Sequence, residues 1–527
     1  MATIINSNQL NSYQFRGDEQ LWVYNGLDTM LTAELKQNME PNLNENTAGI
    51  YKFERAMLGP AISIMRRGVR IDHKRRKELL SGKFNADGEQ IEPGLEQRIK
   101  NVAARFNYLA MEIWGKEINL NSPKQLYNFF YGEEGLQIPE IYSFKGGKRR
   151  VSTDNDTMEK MILNYLRAVP LANLLLRYRD LNKKQYVLRS KVDADGRWRS
   201  TYNVSGTETG RWSSRTSPFQ TGTNMQNITK ELREIIIPDK GMAMFYADLE
   251  QAESRATAYL SGDVNYIKAC EGGDLHTDVC KMVWRDLPWT GNLKDDKVIA
   301  EQIFYRHFTY RDMAKRGGHG TNYYLTYKSM ARRLHIEERM ACRFQLEYYG
   351  GQQPLEDLHR WGYDDLIEKG QRVLLYDKEE EHDVEYVILE GAFPGIRIWH
   401  RTIENELRAT GKLVTPFGRE RQFWGRLNDD TTLREAIAFK PQSLVGDILN
   451  YGLLRMWNEL EPRYMQTLGQ VHDAVLGQVP IEEIENVEPL LIRCLMNPIE
   501  VNGRIMSIPA EVLWSTTSWK DVKKRKK

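Results

Sequence analysis

Two aspartates, each at the end of an apolar run, carry the strongest chemical signal in this sequence. Residues 242–247 are apolar throughout, as suits a buried strand. At Asp248 the pattern changes to one with Glu250, Glu253 and Arg255, ahead of an apolar helical face at Ala256, Tyr259 and Leu260. A carboxylate at the exit of a buried strand is costly unless a cation meets it, although Asp is also an ordinary helix N-cap. Asp473 has the same setting: residues 468–480 read as strand–turn–strand, with His472 and Asp473 at the turn. Two carboxylates brought together repel one another unless divalent cations sit between them. Mg²⁺ typically takes one or two carboxylates plus substrate phosphates. Two such ions roughly 3.5–4 Å apart activate an attacking oxygen and stabilise a leaving one. That is chemistry for phosphoryl transfer.

Between the aspartates, Arg311, Lys315, His319 and Tyr323 recur every fourth residue, which on a helix makes one ridge. It runs from two cations, suited to a triphosphate, to two rings, suited to a sugar and base. A solvated basic face is the plainer reading. Gly317, Gly318 and Gly320 weigh against it, since each costs about 1 kcal/mol relative to Ala in a helix. Glycine there would let a flat base approach the backbone, or let the helix bend.

The elements that must hold these residues fit a multidomain chain. At 527 residues, 28% charged and 41% hydrophobic, the composition is that of an ordinary globular protein with more than one domain. A net charge of +2 announces no nucleic-acid partner, so any such partner must meet local basic surface. Four cysteines without CxxC spacing argue against a disulfide framework or zinc site, and fit a reducing compartment. No 18-residue apolar run or signal-peptide pattern is present, so a cytoplasmic protein without a membrane is expected. The basic run 523–527 reads as a frayed, solvated end, with a weak phosphate contact as the sharper alternative.

Along the chain, residues 21–35 suggest a short amphipathic helix, and Phe53, Met57, Ala61, Ile64 and Met65 recur at helical spacing. Residues 68–72 read as a turn and short strand; 73–195 are mainly helical, with a helix start at 119–123. Arg177, Arg179, Lys183 and Lys184 line one helical stretch that could be a solvated face or a duplex-gripping arm. Short extended pieces fill 196–245, and helices 264–350. The segment 351–392, with its charged run 377–385, reads as loop-rich. Helix returns at 396–460, broken by a hairpin-like turn at 414–421.

These motifs resemble those of the family A DNA polymerases, the DNA polymerase I type, over residues 54–519. Asp248-Leu-Glu-Gln-Ala-Glu-Ser-Arg255 resembles the family's DYSQIELR, the Arg311 ridge its RxxxKxxxFGxxYG, and Val471-His-Asp-Ala474 its VHDE. TGRWSS at 209–214, NMQNI at 224–228, GDLH at 273–276 and REAIAFKPQS at 434–443 add to the match. The resemblance implies an α+β, right-hand polymerase fold with an antiparallel palm sheet, helical fingers and a helical thumb. It implies thumb and connecting helices at 51–195, palm at 196–275 and 410–527, and fingers at 276–409 with an insertion near 351–392. It also implies DNA synthesis from dNTPs on a primer-template, with Asp248 and Asp473 holding two Mg²⁺ ions for which Mn²⁺ can substitute.

By matched position, Lys315 would contact the triphosphate and give a proton to leaving pyrophosphate, and Arg311 would bind the terminal phosphates. Glu253 would exclude a 2′-hydroxyl, Tyr323 would pack beneath the templating pair, and His319, Gln251 and His276 would complete the nucleotide site. Arg211, Gln226, Arg255, Arg434, Gln442 and His472 would touch DNA. The sequence departs from the family at His319 (usually Phe or Tyr), Tyr324 (Gly) and Ala474 (Glu).

Residues 21–28, with Tyr24 and Asp28, resemble the last motif of the family's 3′–5′ exonuclease domain. Only twenty residues precede it, without a DxE-bearing strand. Residues 1–50 are therefore expected to be a remnant, or a docking segment for a separate exonuclease or processivity subunit, and the chain to lack its own proofreading. By analogy a phage-like enzyme of a bacterial or phage-infected bacterial cell is expected. A single-subunit RNA polymerase of the same fold, or a catalytically silent DNA-binding scaffold, are the alternatives. Glu253 weighs against the first, and intact Asp248, Asp473 and Lys315 against the second.

Overall fold

Helix α1, Asp18–Met39, is the amphipathic helix expected at 21–35, extended past both ends. None of its described residues is buried, and Leu21, Trp22, Tyr24, Met30 and Leu35 face solvent. The computed structural model describes residues 18–145, 148–305, 308–377, 381–461 and 463–525, so part of the 1–50 segment lies outside it. Helix α2, Glu45–Ala56, starts at a capping box in which Asn44 and Thr47 satisfy each other's backbone N–H. A helix over Leu58–Arg67 follows and ends at Gly68, whose φ of 63° turns the chain into the strand Val69–Ile71. Phe53, Met57, Ala61 and Ile64 are buried, as their spacing predicts.

Ser122 caps the helix Pro123–Tyr131, the start read from residues 119–123. A helix over Leu95–Trp114 packs along α3, Val169–Arg189. The four cations of α3 do not form one free face. Arg177 and Lys183 are exposed, whereas Arg179 donates to Asn155 Oδ1 and the Thr153 carbonyl, and Lys184 pairs with Asp180 and Glu231.

Strand β1, Met242–Leu249, enters the core and is followed by α4, Ala252–Ser261. Helices α5, Tyr310–Asn322, and α6, Glu338–Tyr349, pack on each other, and α7, Pro394–Thr410, packs on α4 and α6. Helix α8, Asp430–Glu459, carries Pro441 within it. The chain closes with β2, Gln466–Val471, β3, Ala474–Pro480, and β4, Ala510–Ser515. These strands join β1 in one antiparallel sheet of order β2-β3-β1-β4, with Asp248 opposite Ala474 on one side and Glu511 on the other. Phe245, Val475, Leu476 and Val479 are fully buried, each worth about 1.5–3 kcal/mol. That burial fixes the register, because a one-residue slip would turn every apolar side chain outward.

Two expectations fail. Residues 351–392 are not loop-rich. They form a three-stranded sheet of Gly351–Pro354, His382–Leu389 and Gln371–Asp377, with helices Leu355–Trp361 and Asp364–Lys369 packed on it. A separate small core of Leu346, Leu358, Tyr363, Leu366, Ile367 and Val387 supports them. Strand character at 382–389 was hidden under the charged run, of which residues 378–380 lie outside the described residues.

Nor does the basic end fray as far as it is described. Lys523 pairs with Trp514 as a β-bridge, Lys524 meets Glu511, and Arg525 meets Glu485 and Glu488. Local acidic partners hold it; residues 526–527 lie outside the described residues. Among the described residues no helix is long and apolar enough to cross a membrane.

Candidate active site

The hairpin between β2 and β3 turns through two residues, His472 and Asp473. His472 takes the left-handed conformation (φ 55°) that such a turn requires, and its side chain is exposed. The Leu249 N–H donates to the Asp473 carbonyl at 3.2 Å, which seats the turn beside the end of β1. Asp248 and Asp473 thus become neighbours. Burial pushes the Asp248 carboxyl up to about 6, with the Asp473 charge the next cause. Asp473 is raised as well, by burial first, with Glu253 adding and Arg211 opposing. Both sites hold negative charge that the protein only partly compensates.

Arg211 supplies that compensation. Its Nη2 donates to Glu253 Oε1 at 2.6 Å and to Asp473 Oδ1 at 3.1 Å. The loop carrying it rests on a buried support. Gly210 (φ 73°) lies against the Arg419 guanidinium, where a Cβ would come within 2.3 Å of Cζ, and its carbonyl accepts from Asn450 Nδ2 at 3.1 Å. Arg419 in turn grips both oxygens of Asp447 on α8, at 2.8 and 3.2 Å, and pairs with Glu54 on α2. The sequence reading missed Arg419, Asp447, Asn450 and Glu54. One signal was available: Asp447 stands in a run of apolar α8 residues, Leu444, Val445, Ile448 and Leu449, where an unpaired charge would be untenable.

The ridge lies on α5, which opens at a capping box of Thr309 and Asp312. Arg311 Nη2 sits 3.0 Å from both oxygens of Asp274. His276 lies close by and is lowered to about 4 by burial first, then by the Arg311 charge, with Lys315 contributing, so it is neutral at pH 7. Lys315 is exposed and has no ion pair among the described residues. One turn on, His319 Nδ1 is 3.9 Å from Glu253 Oε2, and its ring is 4.8 Å from that of Tyr323, which caps the helix. Burial, then the Glu253 charge, drives the Tyr323 phenol well above its ordinary value. Glu253 therefore joins the ring end of the ridge, through Arg211, to Asp473.

The three glycines each stand at a close contact that a side chain would crowd. A Cβ at Gly317 would lie 2.7 Å from Phe344, at Gly318 3.2 Å from Tyr348, and at Gly320 3.0 Å from Leu325. Gly317 and Gly318 lie where α5 packs closely on α6, and Gly320 lies against the turn that follows α5. Tyr324, where the resembled motif has Gly, keeps the left-handed backbone at φ 59°, a costly conformation for an aromatic residue. Its ring packs edge-on to His400, 5.3 Å between centroids.

Other residues singled out in the sequence stand apart. Gln226 donates to the Trp212 carbonyl at 3.0 Å and to Gln470 Oε1 at 2.9 Å, while Gln470 donates to the His472 carbonyl at 2.8 Å. Gln226 thus braces the hairpin through Gln470 and ties it to the Trp212 segment. Gln251 is exposed, with φ 54°, at the turn into α4. Arg255 and Gln442 are half-buried; Arg434 Nε donates to the Asp430 carbonyl, and its side chain lines a cleft of about 730 Å³ with Asp156, Glu159, Arg332 and Arg333. Asp28 is exposed on α1.

Among the described residues no three His, Cys, Asp or Glu gather as a metal site. The Asp248–Asp473 pair supplies hard oxygen donors whose mutual repulsion a cation would relieve. An incomplete set of this kind suits Mg²⁺, which keeps several waters and draws further ligands from a phosphate.

A family model described as DNA polymerase family A matches residues 89–361. The thermostable DNA polymerase I of Thermus filiformis is 25% identical over 496 residues, covering 92% of this chain and 49% of its own. DNA polymerase I of Lactococcus lactis subsp. lactis is 26% identical over 454 residues, covering 82% of this chain and 43% of its own. The chain thus spans about half the length of the curated relatives it matches. Among solved structures, the POL domain of Pol1 from M. smegmatis, in complex with DNA primer-template and dNTP, aligns with a TM-score of 0.64 at 22% identity. That alignment covers 89% of this chain and 70% of that one. It shows a shared fold.

Proposed function

The chain belongs to DNA polymerase family A, with its α+β right-hand fold, and on that premise we propose that it carries out template-directed DNA synthesis. The primer 3′-hydroxyl attacks the incoming dNTP, and pyrophosphate leaves. One observation supports this reading above the others: Asp248 and Asp473 meet across a hairpin and are tied through Arg211 and Glu253 to the α5 ridge. In this reading residues 196–275 and 410–527 form the palm, 276–409 the fingers with 351–392 as an insertion, and 51–195 the thumb and connecting helices. In the same reading Asp28, exposed on α1, has no part in synthesis.

Asp248 and Asp473 would hold divalent cations, Mg²⁺ or Mn²⁺, which when bound neutralise phosphate charge and favour the alkoxide form of the attacking hydroxyl. Arg311 and Lys315 orient the triphosphate, and Lys315 gives a proton to the leaving group. Neutral His276 stands beside them without adding a third positive charge. The Glu253 carboxylate, beside Tyr323 and His319, meets a sugar at the position a 2′-hydroxyl would need. Arg211, Arg255, Arg434, Gln442 and His472 face the primer-template, and Gln226 sets the His472 turn.

Primer extension with purified, folded protein tests this. Asp473→Asn is expected to cut Mg²⁺-dependent dNTP incorporation at least about 10³-fold, corresponding to several kcal/mol of lost charge stabilisation. Glu253→Ala is expected to keep synthesis while raising rNTP use relative to dNTP about tenfold or more. Absence of divalent-dependent synthesis by the folded wild type, with duplex still bound, would leave only the scaffold reading.

A further inference from the structure

Arg211 places a positive charge on the same carboxylate that a catalytic cation would use. Its Nη2 lies 3.1 Å from Asp473 Oδ1 and 2.6 Å from Glu253 Oε1. The side chain is no loosely held surface arginine. Thr207 Oγ1 donates to the Arg211 carbonyl at 2.7 Å, and Gly446 of α8 lies beneath its Cγ, where an added Cβ would approach to 3.1 Å. The Gly210–Arg419–Asp447 stack fixes the loop from below. A guanidinium on Oδ1 and a divalent ion compete for Asp473, because like charges held close together in a partly buried site repel.

We propose that Arg211 is a resident counter-ion that withholds Asp473 from divalent cations until a primer end draws its guanidinium away, so that cation binding and primer binding are coupled through this one side chain. The inference rests on the polymerase reading above, in which Arg211 faces the primer. Its departure also frees Glu253, so the carboxylate that meets the nucleotide sugar becomes available at the same moment as the cation site. Arg211 acts here as a positioning residue, and the coupling is reciprocal: cation must then tighten primer binding by the same factor that primer tightens cation.

Mn²⁺ binding followed by electron paramagnetic resonance tests this without any turnover. It is measured with and without a saturating primer-template ended by a dideoxynucleotide, with saturation checked by fluorescence anisotropy. For the wild type, duplex is expected to tighten Mn²⁺ binding at least about tenfold. Arg211→Gln should bind Mn²⁺ without DNA about as tightly as the wild type does with it, and gain less than about twofold from duplex. Arg211→Lys, which keeps a positive charge, should retain part of the coupling. Unchanged Mn²⁺ affinity in Arg211→Gln, with the duplex enhancement intact, would overturn the proposal. Asp473→Asn separates the two levels: if it leaves Mn²⁺ binding untouched, the metal-site reading itself fails. If it abolishes binding while Arg211→Gln behaves as wild type, only the counter-ion role fails. Circular dichroism melts on each variant confirm that folded protein was compared.

Discussion

Replacing Arg419 with methionine tests the support beneath the site. Arg419 is 7% exposed and Asp447 not at all, and the guanidinium meets both Asp447 oxygens. Even with this partner, burial holds the Asp447 carboxyl above its ordinary range. Without it, Asp447 is an uncompensated charge in the core, which costs about 3–5 kcal/mol. A cooperative unit of 150–250 residues loses roughly 2–4 °C of Tm per kcal/mol, so the variant should melt about 6–20 °C lower at pH 8. Protonation of Asp447 offsets part of that loss, so the deficit should shrink at pH 5. Adding Asp447→Leu removes the stranded charge and should return most of the stability, a coupling of about 2 kcal/mol or more. Thermal melts of wild type, both single variants and the double variant at the two pH values measure all of this. A fall of less than about 2 °C in Arg419→Met, or a double variant no more stable than the singles, would refute the account of this network.

Two other outcomes follow from the packing and the charges. The raised Asp248 carboxyl, pushed up to about 6, is protonated more readily in the folded than in the unfolded state. Its contribution is therefore complete below about pH 4 and disappears as pH rises through about 6. Added Mg²⁺ should then raise Tm more at pH 8 than at pH 5, where it must displace a proton; an equal or larger gain at pH 5 in differential scanning fluorimetry would contradict this. Gly317→Val puts a branched side chain where a Cβ already lies 2.7 Å from Phe344, and should cost about 1–3 kcal/mol through overpacking. Phe344→Ala in the same chain should relieve that overpacking, so urea midpoints showing purely additive losses would sink the close-packing role of the glycine.

Much of the site could be read from the sequence because each of its parts has a local pattern. An apolar run ending in Asp248, a turn at His472–Asp473 and a fourfold spacing from Arg311 to Tyr323 each need only one element to be recognised. What stayed hidden needs two or more. Arg419 meets Asp447 and Glu54 across 28 and 365 positions of the chain, and no periodicity announces such a meeting. The packing partners of the α5 glycines stayed hidden because sequence shows that a side chain is missing, not what fills the gap; Phe344 and Tyr348 fill it from α6 at Gly317 and Gly318. The 351–392 module was lost for a different reason. Its short strands carry charges on an exposed sheet, which flattens the alternation that marks a half-buried strand. Residues 523–525 looked free because what holds them, the Trp514 backbone and Glu511, Glu485 and Glu488, sits on other elements.

The mooring of those last residues bears on how the protein should be handled. Lys523 lengthens the edge of the same sheet whose neighbouring strand carries Asp248, so a tag or fusion partner attached beyond it tugs on the sheet that holds this aspartate. Helix α1, with its side chains in solvent, transmits no such pull. Affinity handles, dyes and surface tethers belong ahead of it.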